Sequence, residues 1–293
     1  MSNRDLDQAP VSVVIPCLNS EATILTAIAS VKSQYDAKTD LEIICVNDGS
    51  TDATCDLLSK LRAGGSTLLI QHSTSRGASA ARNVGLKAVT REYVQFLDVD
   101  DILLPGKLRR QVRLLRDTDA DFVVGAYEDK RMDGSCTDQY PDEDCWAGLL
   151  ASRLGRTSSN LFRTKTLNEI GGWNESQKSS QEYELMFRLL VRRGPQGRRV
   201  AFDNEVGTRK ISTRGSISNS DPEGNAMRYI QLRRKMLGYL QREGMLTEYR
   251  RQCYEIAYRR SLTELSEKTK TNLALSGALN CPHGIKITAR QCL

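Results

Sequence analysis

The sequence predicts an α/β protein in which a mixed, mostly parallel sheet is flanked by helices and followed by a helical C-terminal extension. Three observations predict this class. Short apolar runs alternate with helix-period segments over about the first 130 residues, which is typical of βαβ units. From about residue 223 only helical spacing remains. The 293 residues are 39% hydrophobic and 27% charged, an ordinary globular composition that argues against disorder.

Each strand of the first half is predicted from a short apolar run bounded by polar residues. Such a run is too short for a helix and long enough to cross a buried sheet. In chain order the predicted strands are 11–15, 41–46, 67–71, 92–97 and 122–126.

Each intervening helix is predicted from apolar spacing and from a residue suited to its start. Ser20 can cap the first helix, and Thr51 or Asp52 can cap the second. A third helix is expected over 78–89, and Pro105 lies near the first turn of a fourth, where its missing N–H costs little. The inward stripes are Ile24, Ala27, Ile28 and Val31 in the first helix and Leu57, Leu58 and Leu61 in the second.

The C-terminal segment predicts two helices that break near Gly244. Its apolar stripe indicates a core or docking face rather than a membrane anchor. Residues 268–293 give no clear signal. The stripe consists of Tyr229, Leu232, Met236, Leu237 and Leu240.

The net charge of +6 is concentrated in this extension. Between Arg228 and Arg260 the sequence contains nine Lys or Arg residues and only three Glu residues. A basic helical segment is typical of a solvated helix face, and contact with an anionic membrane surface is a second interpretation. Nucleic-acid binding is a third, although no aromatic-rich binding module accompanies the charge.

The sequence predicts a soluble protein that stays in the cytoplasm, with peripheral contact at the inner face of the membrane as the alternative. No stretch approaches the roughly 20 apolar residues of a membrane span, and residues 1–10 lack the apolar core of a signal peptide. Eight cysteines form no C-x-x-C pair, so we interpret them as reduced thiols with packing roles.

Three polar clusters follow predicted strands at the point where each strand ends. They are Pro16-Cys-Leu-Asn19, Asn47-Asp-Gly-Ser-Thr-Asp52 and Asp98-Val-Asp-Asp101. Because ligands of open α/β sheets gather at the carboxyl ends of parallel strands, we expect all three clusters to border one crevice.

The D-x-D-D cluster predicts a divalent metal site. In extended geometry Asp98 and Asp100 project to the same side, so they can share one cation. Mg²⁺ or Mn²⁺ suits carboxylate and phosphate oxygens together. The alternative is that the acidic residues only cap the turn before Pro105. Similarly, Asp48 can accept a ring N–H from a nucleobase, or can serve turn chemistry in the Asn-Asp-Gly sequence.

Four motifs in order resemble glycosyltransferase family 2, which has the GT-A fold with a Rossmann-like sheet. They are V-S-V-V-I-P-C-L-N, V-N-D-G-S-T-D, R-G-A-S-A-A-R-N-V-G-L and F-L-D-V-D-D, and the resemblance covers about residues 10–215. It implies an inverting transferase that moves a sugar from a nucleotide diphosphate donor, most commonly a UDP-sugar. The acceptor would be a hydroxyl of a glycan, a lipid-linked or another molecule, and no nucleic acid is expected. It also implies a nucleotide-sugar-binding half at 10–130, an acceptor-binding half at 131–222 and an extension at 223–293.

The resemblance also implies roles for individual residues. Asp48 would read the base, Asp98 would contact the ribose or the metal, and Asp100 would hold the metal on the diphosphate. Pro16, Asn19 and Glu21 would border the base and ribose, and Gly77, Ala80 and Asn83 would lie along the nucleotide. On the acceptor side, I-G-G-W-N-E at 170–175 and Q-E-Y-E-L at 181–185 resemble the family's glycine pair and acidic helix start.

Glu182 is the predicted general base, because an attacking hydroxyl must lose its proton to a positioned carboxylate. Glu182 heads an inward stripe, whereas Glu184 and Arg188 are expected to pair on the opposite, solvated face. The alternative is a capping box at Ser179-Ser-Gln-Glu182, in which this Glu only closes the helix start. Trp173 is interpreted either as a platform for a sugar acceptor or as a packing residue.

The chain departs from the family pattern at three places. Gln181 replaces the first acid of the usual Glu-Asp pair, Leu18 replaces a common aromatic, and 212–216 lacks a common histidine. These departures keep open a catalytically inactive nucleotide-sugar-binding protein. A phosphatase that uses the D-x-D-D motif is a further alternative, but it leaves the clusters at Pro16, Asp48 and Gly77 unexplained.

Overall fold

The computed structural model describes residues 11–35, 41–63, 68–72, 76–194, 199–211 and 221–275. Within these ranges the chain forms one mixed sheet with helices on both faces and a helical C-terminal extension. This is the fold class that the sequence predicts.

Nine strands of the described chain build the sheet in the order β3-β2-β1-β4-β8-β6-β9-β5, with β7 paired to β6. The β3-β2-β1-β4 half is parallel throughout, and β8 enters antiparallel to both β4 and β6. The strands are β1 Val11–Cys17, β2 Leu41–Asn47, β3 Leu68–His72, β4 Tyr93–Phe96, β5 Ile102–Leu103, β6 Phe122–Lys130, β7 Cys136–Gln139, β8 Leu161–Arg163 and β9 Val200–Ile211.

Ten helices of the described chain surround and follow the sheet. They are α1 Ile24–Lys32, α2 Thr54–Ala63, α3 Ala78–Ala88, α4 Lys107–Thr118, α5 Cys145–Ala151, α6 Thr164–Glu169, α7 Gln181–Arg192, α8 Pro222–Arg242, α9 Glu248–Leu262 and α10 Glu267–Leu275. Strands of both expected halves share the sheet, and the division at residue 130 remains a proposal.

The sheet is covered on both faces, which explains why its strands read as nearly continuous apolar runs. Val14 and Ile44 belong to the core cluster on one face, and Val13 and Ile43 belong to the cluster on the other. All four side chains are at most 3% exposed. The alternation places successive strand residues on opposite faces, as strand geometry requires.

The predicted elements of the first half are confirmed, with local corrections. The four stripe residues of α1 are buried, but its N-cap is Thr23 rather than Ser20. In α2 only Leu58 of the predicted stripe is fully buried. The sequence did not predict β5, β8 and β9, which pair with strands distant in the chain, or β7, a short and mostly exposed strand that pairs with its neighbour β6.

The two predicted C-terminal helices are present as α8 and α9, and Gly244 adopts φ +66° between them. The short helix α10 was missed. Leu232, Met236, Leu237 and Leu240 are buried, so the apolar stripe of α8 belongs to the core. None of the helices described is long and apolar enough to cross a membrane.

Several basic side chains of this extension have partners within the protein. Arg228 pairs with Asp221 at 2.8 Å and Arg250 with Asp144 at 2.9 Å, and Arg233 is buried. Arg250 and Arg233, which also bonds Ser152, therefore help to attach the extension to the preceding part of the chain, a role the sequence did not predict.

A buried ion pair anchors the loop of the glycine pair. Glu184 and Arg188 pair at i, i+4 as predicted, with 2.9 Å between Arg188 Nη2 and Glu184 Oε2. The prediction of a solvated face was wrong, since Glu184 is only 5% exposed. The reason is that the loop covers the pair: Arg188 donates to the carbonyl oxygens of Ile170 and Gly172 at 2.8 and 2.7 Å.

We expect Glu184→Gln to lower the free energy of unfolding by about 2 kcal/mol, the scale for hydrogen bonds to a charged group. The substitution leaves the charge of Arg188 without its carboxylate. The matched control is Glu169→Gln, which breaks the half-exposed ion pair with Arg192 and should cost less than about 1 kcal/mol. Equal costs in chemical denaturation would contradict the anchoring role.

Candidate active site

The carboxyl ends of β1, β2 and β4 lie at one edge of the sheet. These three strands are parallel neighbours, with Cys17 opposite Asn47 and Val14 opposite Phe96. The three predicted clusters therefore begin at the same edge, as the sequence indicated.

The loops after β1 and β2 are joined by the side chains predicted to border the base and ribose. Asn19, at φ +48°, accepts a hydrogen bond from the Thr51 N–H through its Oδ1 at 2.8 Å. Glu21 Oε2 accepts from the Ala53 N–H at 2.9 Å. Both side chains thus have a structural role that the sequence did not predict, while Pro16 is a half-buried residue of β1.

Asp48 is buried and orders the loop before α3. Its Oδ1 accepts from the N–H of Arg76 at 3.2 Å, and its Oδ2 accepts from the N–H of Gly77 at 2.9 Å. Gly77 adopts φ +94°, a conformation that favours glycine. The carboxylate therefore connects the β2 cluster to the start of α3.

The D-x-D-D cluster is a turn, and the extended geometry assumed from the sequence was wrong. β4 ends at Phe96, and the Asp101 N–H donates to the Asp98 carbonyl oxygen at 2.9 Å. The carboxylates are nevertheless near one another. Burial raises the pKa of Asp100, and the charge of Asp98 raises it further.

Asp101 and Ser158 hold this turn, and the role of Ser158 was not predicted. The Ser158 hydroxyl accepts from the Asp98 N–H at 3.0 Å and donates to Asp101 Oδ2 at 2.6 Å. Burial and the neighbouring Asp98 raise the pKa of Asp101 to about 8. The Ser158 carbonyl is fixed in turn by Gln95 and Thr208, which donate to it at 3.0 and 3.1 Å.

Arg82 links the D-x-D-D turn to the start of α7, a role that the sequence did not predict. It is 5% exposed; Nη2 donates to Asp98 Oδ1 at 2.6 Å and Nη1 to Gln181 Oε1 at 2.7 Å. Its guanidinium carbon lies 4.6 Å from the ring centroid of Trp173. The only sequence signal was its place in the R-G-A-S-A-A-R-N motif, where it faces inward with Ala81.

Asn83 and Ala80, which were expected along the nucleotide, are engaged in loop positioning and packing. Asn83 Oδ1 accepts from the Trp173 N–H at 2.8 Å, and its Nδ2 donates to the Trp173 carbonyl oxygen at 2.9 Å. A Cβ on Gly172 would lie 2.6 Å from Asn83 Oδ1, so the glycine permits this approach. Ala80 is 1% exposed.

Trp173 is placed as a packing residue, one of the two interpretations of the sequence. It is 2% exposed, and its ring meets Phe96 edge-on at 5.1 Å between centroids. Its indole Nε1 is buried without a hydrogen-bond partner among the described residues.

Glu182 lies in the first turn of α7, at the head of the inward stripe that the sequence predicted. Leu185, Met186 and Leu189 of this stripe are at most 2% exposed, whereas the Glu182 side chain is 16% exposed. Its Oε1 lies 4.0 Å from Arg156 Nη1. The capping-box alternative does not match the helix start, because the N-cap is Ser180 at φ +54° and its side chain makes no capping hydrogen bond.

The carboxylates at the turn fit a magnesium or manganese ion whose remaining coordination positions would be filled by a bound ligand. Asp98 and Asp100 offer hard carboxylate oxygens, and burial beside a like charge makes Asp100 suited to a cation. Among the described residues, no three His, Cys, Asp or Glu side chains form a site for a metal ion by themselves. Mg²⁺ is commonly held by one or two carboxylates together with substrate phosphates.

Comparison with protein families and curated proteins gives a consistent result. The model described as "Glycosyl transferase family 2" matches residues 12–171. An uncharacterized glycosyltransferase of Rickettsia felis is 31% identical over 233 residues, which are 74% of this chain and 37% of that protein. The poly(ribitol-phosphate) beta-glucosyltransferase of Bacillus spizizenii is 30% identical over 54% of this chain and 26% of its own length. The chain thus spans well under half the length of these two relatives.

Solved structures share the fold. Residues 1–349 of S. aureus TarS, in complex with UDP-GlcNAc, match with a TM-score of 0.63 and 18% identity, over 89% of this chain and 83% of that chain. The mannosyltransferase PcManGT of Pyrobaculum calidifontis, in complex with GDP-Man and Mn²⁺, matches with a TM-score of 0.59 and 17% identity, over 92% and 79% of the two chains. The expected GT-A fold is confirmed.

Proposed function

This chain belongs to glycosyl transferase family 2, and we propose that it is an enzyme that moves a sugar from a nucleotide diphosphate donor onto an acceptor hydroxyl. One observation carries the proposal: Arg82 joins Asp98, at the end of β4, directly to Gln181, beside Glu182. Groups suited to a leaving diphosphate and to an attacking hydroxyl therefore border one cleft.

We propose a UDP-sugar as the donor, with the base near Asp48. The two hydrogen bonds that Asp48 accepts from the 76–77 loop leave further lone pairs for a ring N–H. Pro16, Asn19, Glu21, Gly77 and Asp98 are proposed to border the nucleotide. TarS is described with UDP-GlcNAc, and its fold supports a donor of this class.

We propose that Asp100, with Asp98, holds Mn²⁺ or Mg²⁺. A divalent cation supplies charge stabilisation for the diphosphate that leaves. The Oδ1 atom of Asp98 is ion-paired to Arg82, so Asp98 Oδ2 and the Asp100 carboxylate are the oxygens proposed as ligands. The turn that contains both residues is fixed by Ser158 and Asp101, which keeps Asp100 in place.

Glu182 is proposed as the general base of a single displacement with inversion. The acceptor oxygen forms its bond to the anomeric carbon as the bond to the diphosphate oxygen breaks, and the hydroxyl proton passes to Glu182. The side chain is partly exposed, and its Oε1 lies 4.0 Å from Arg156 Nη1. The acceptor is proposed to be a glycan, a lipid-linked or another hydroxyl compound; the name of the Bacillus spizizenii relative describes a phosphate-bearing polyol chain as the acceptor of that protein.

Cytoplasmic location and peripheral contact with an anionic membrane remain proposals. Arg242, Arg259 and Arg260 are exposed cations of the extension that support such contact.

We expect UDP with Mn²⁺ to raise the melting temperature more than UDP with a chelator, since a ligand of the native state stabilises it. Asp100→Asn should remove most of this metal dependence and leave the melting temperature without ligand nearly unchanged. The matched control is Asp117→Asn, at the exposed end of α4, which should behave as wild type. A metal-dependent shift of wild-type size in Asp100→Asn would contradict the assignment.

We expect Glu182→Gln to retain UDP binding and to lose roughly 100-fold or more in turnover, the usual scale for a general base. The amide keeps the size of the side chain but accepts no proton. Turnover is measured as UDP release from a nucleotide-sugar panel with acceptor, and Glu255→Gln on α9 is the control. Wild-type turnover in Glu182→Gln would assign the base to another carboxylate.

A further inference from the structure

Two arginines lie near the start of α7, and one of them comes from the C-terminal extension. Arg156 precedes β8; its Nη1 is 4.0 Å from Glu182 Oε1, and its Nε donates to the Tyr127 hydroxyl at 3.3 Å. Its side chain is 44% exposed, so part of it is accessible to a ligand. Arg233, on α8, lies with its guanidinium carbon 4.8 Å from the ring centroid of Tyr183, the residue that follows Glu182.

Arg233 is an unusual buried cation. It is 1% exposed, and its guanidinium carbon lies 3.8 Å from the ring centroid of Tyr229 and 4.8 Å from that of Tyr183. Nη2 donates to the Ser152 hydroxyl at 2.6 Å, but Nε and Nη1 have no hydrogen-bond partner among the described residues. Burial lowers its pKa, yet an arginine in a protein keeps its proton.

The positive charge of this cluster exceeds the negative charge. Glu182 stands against two guanidinium groups, and the nearby carboxylates of β6 have their own partners: Glu128 pairs with Arg209 and Asp129 with Lys210. The undescribed stretches contain no Asp or Glu after residue 40. A buried charge without a counter-charge is costly, so an uncompensated cation behind a half-exposed arginine indicates an anionic ligand at that arginine.

We propose that Arg156, with the buried charge of Arg233 behind it, binds a phosphate group of the acceptor next to Glu182. The inference rests on the proposed function, since it takes the Glu182 side of the cleft as the acceptor side. A guanidinium edge matches two phosphate oxygens, which makes Arg156 suited to the contact. The aromatic rings of Tyr183 and Tyr229 cover the faces of Arg233, so its charge acts on the site through a medium of low dielectric constant.

The C-terminal extension thereby becomes part of the site. Arg233 lies on α8, which follows the glycosyltransferase core, and Tyr229 on the same helix fixes it from one side. The Ser152 hydroxyl, which receives the Arg233 hydrogen bond, also donates to the Tyr229 hydroxyl at 3.1 Å. This network holds Arg233 at the start of the loop that carries Arg156.

The test is a calorimetric titration of the full chain saturated with UDP and Mn²⁺, so that the nucleotide site is occupied. Glycerol 3-phosphate probes a polyol phosphate, and geranyl diphosphate probes a lipid diphosphate. We expect one of the two to bind, and the one that binds identifies the source of the phosphate. Arg156→Gln should weaken that binding roughly 10-fold or more, the scale of one charge-assisted hydrogen bond. Arg259→Gln, on the exposed face of α9, is the control and should bind as wild type.

Arg233→Met tests the contribution of the buried charge, because Met fills the space between the two tyrosines without the charge. We expect weaker anion binding at unchanged UDP affinity, and partial recovery in Arg233→Lys. If Arg233→Met fails to fold, Arg156→Gln decides alone. Binding of neither probe to the wild type, or equal binding to Arg156→Gln, would overturn the inference while UDP binding stays intact. A wild type that binds no UDP would instead contradict the proposed function.

Discussion

The ion pair between Arg82 and Asp98 is the interaction on which the geometry of the cleft depends. Arg82 is buried, so its charge requires a carboxylate, and Asp98 supplies it at 2.6 Å. The same guanidinium bonds Gln181 and stacks on Trp173, so one side chain fixes the D-x-D-D turn, the start of α7 and the 170–175 loop relative to one another. Gln181 is uncharged, so Asp98 provides the carboxylate of this contact.

Polar groups within the core keep the remaining parts of the site rigid. Ser158 bridges the Asp98 N–H and the Asp101 carboxyl group, and its own carbonyl receives hydrogen bonds from Gln95 and Thr208 inside the sheet. On the other side, Glu184 and Arg188 hold the glycine-pair loop by its carbonyl oxygens. These hydrogen bonds satisfy polar groups that would be costly to bury alone. The consequence is that the D-x-D-D turn and the glycine-pair loop are held in place by contacts within the protein.

The sequence predicted the parallel half of the sheet and the two main C-terminal helices because apolar periodicity is a local signal. It also located the loop clusters, since a strand that ends in polar residues marks the edge of the sheet. It did not predict β8 and β9, whose pairing depends on distant residues, or Ser158, a serine in an unremarkable loop. Arg82 and Glu184 were missed or misplaced for one physical reason: charged residues are expected at the surface, and only tertiary contacts show when a charge is paired in the interior.

The most direct test of this account is the effect of Arg82→Met on UDP affinity with Mn²⁺ and on sugar transfer, measured at a temperature where the variant remains folded. Met retains an apolar stem against Trp173 but removes the contacts to Asp98 and Gln181. The account predicts that affinity and transfer both fall at least about 10-fold, since charge-assisted hydrogen bonds to two sides of the cleft are lost together. An Arg82→Met protein with wild-type affinity and wild-type transfer would show that the two sides of the cleft are positioned independently, and would contradict the account.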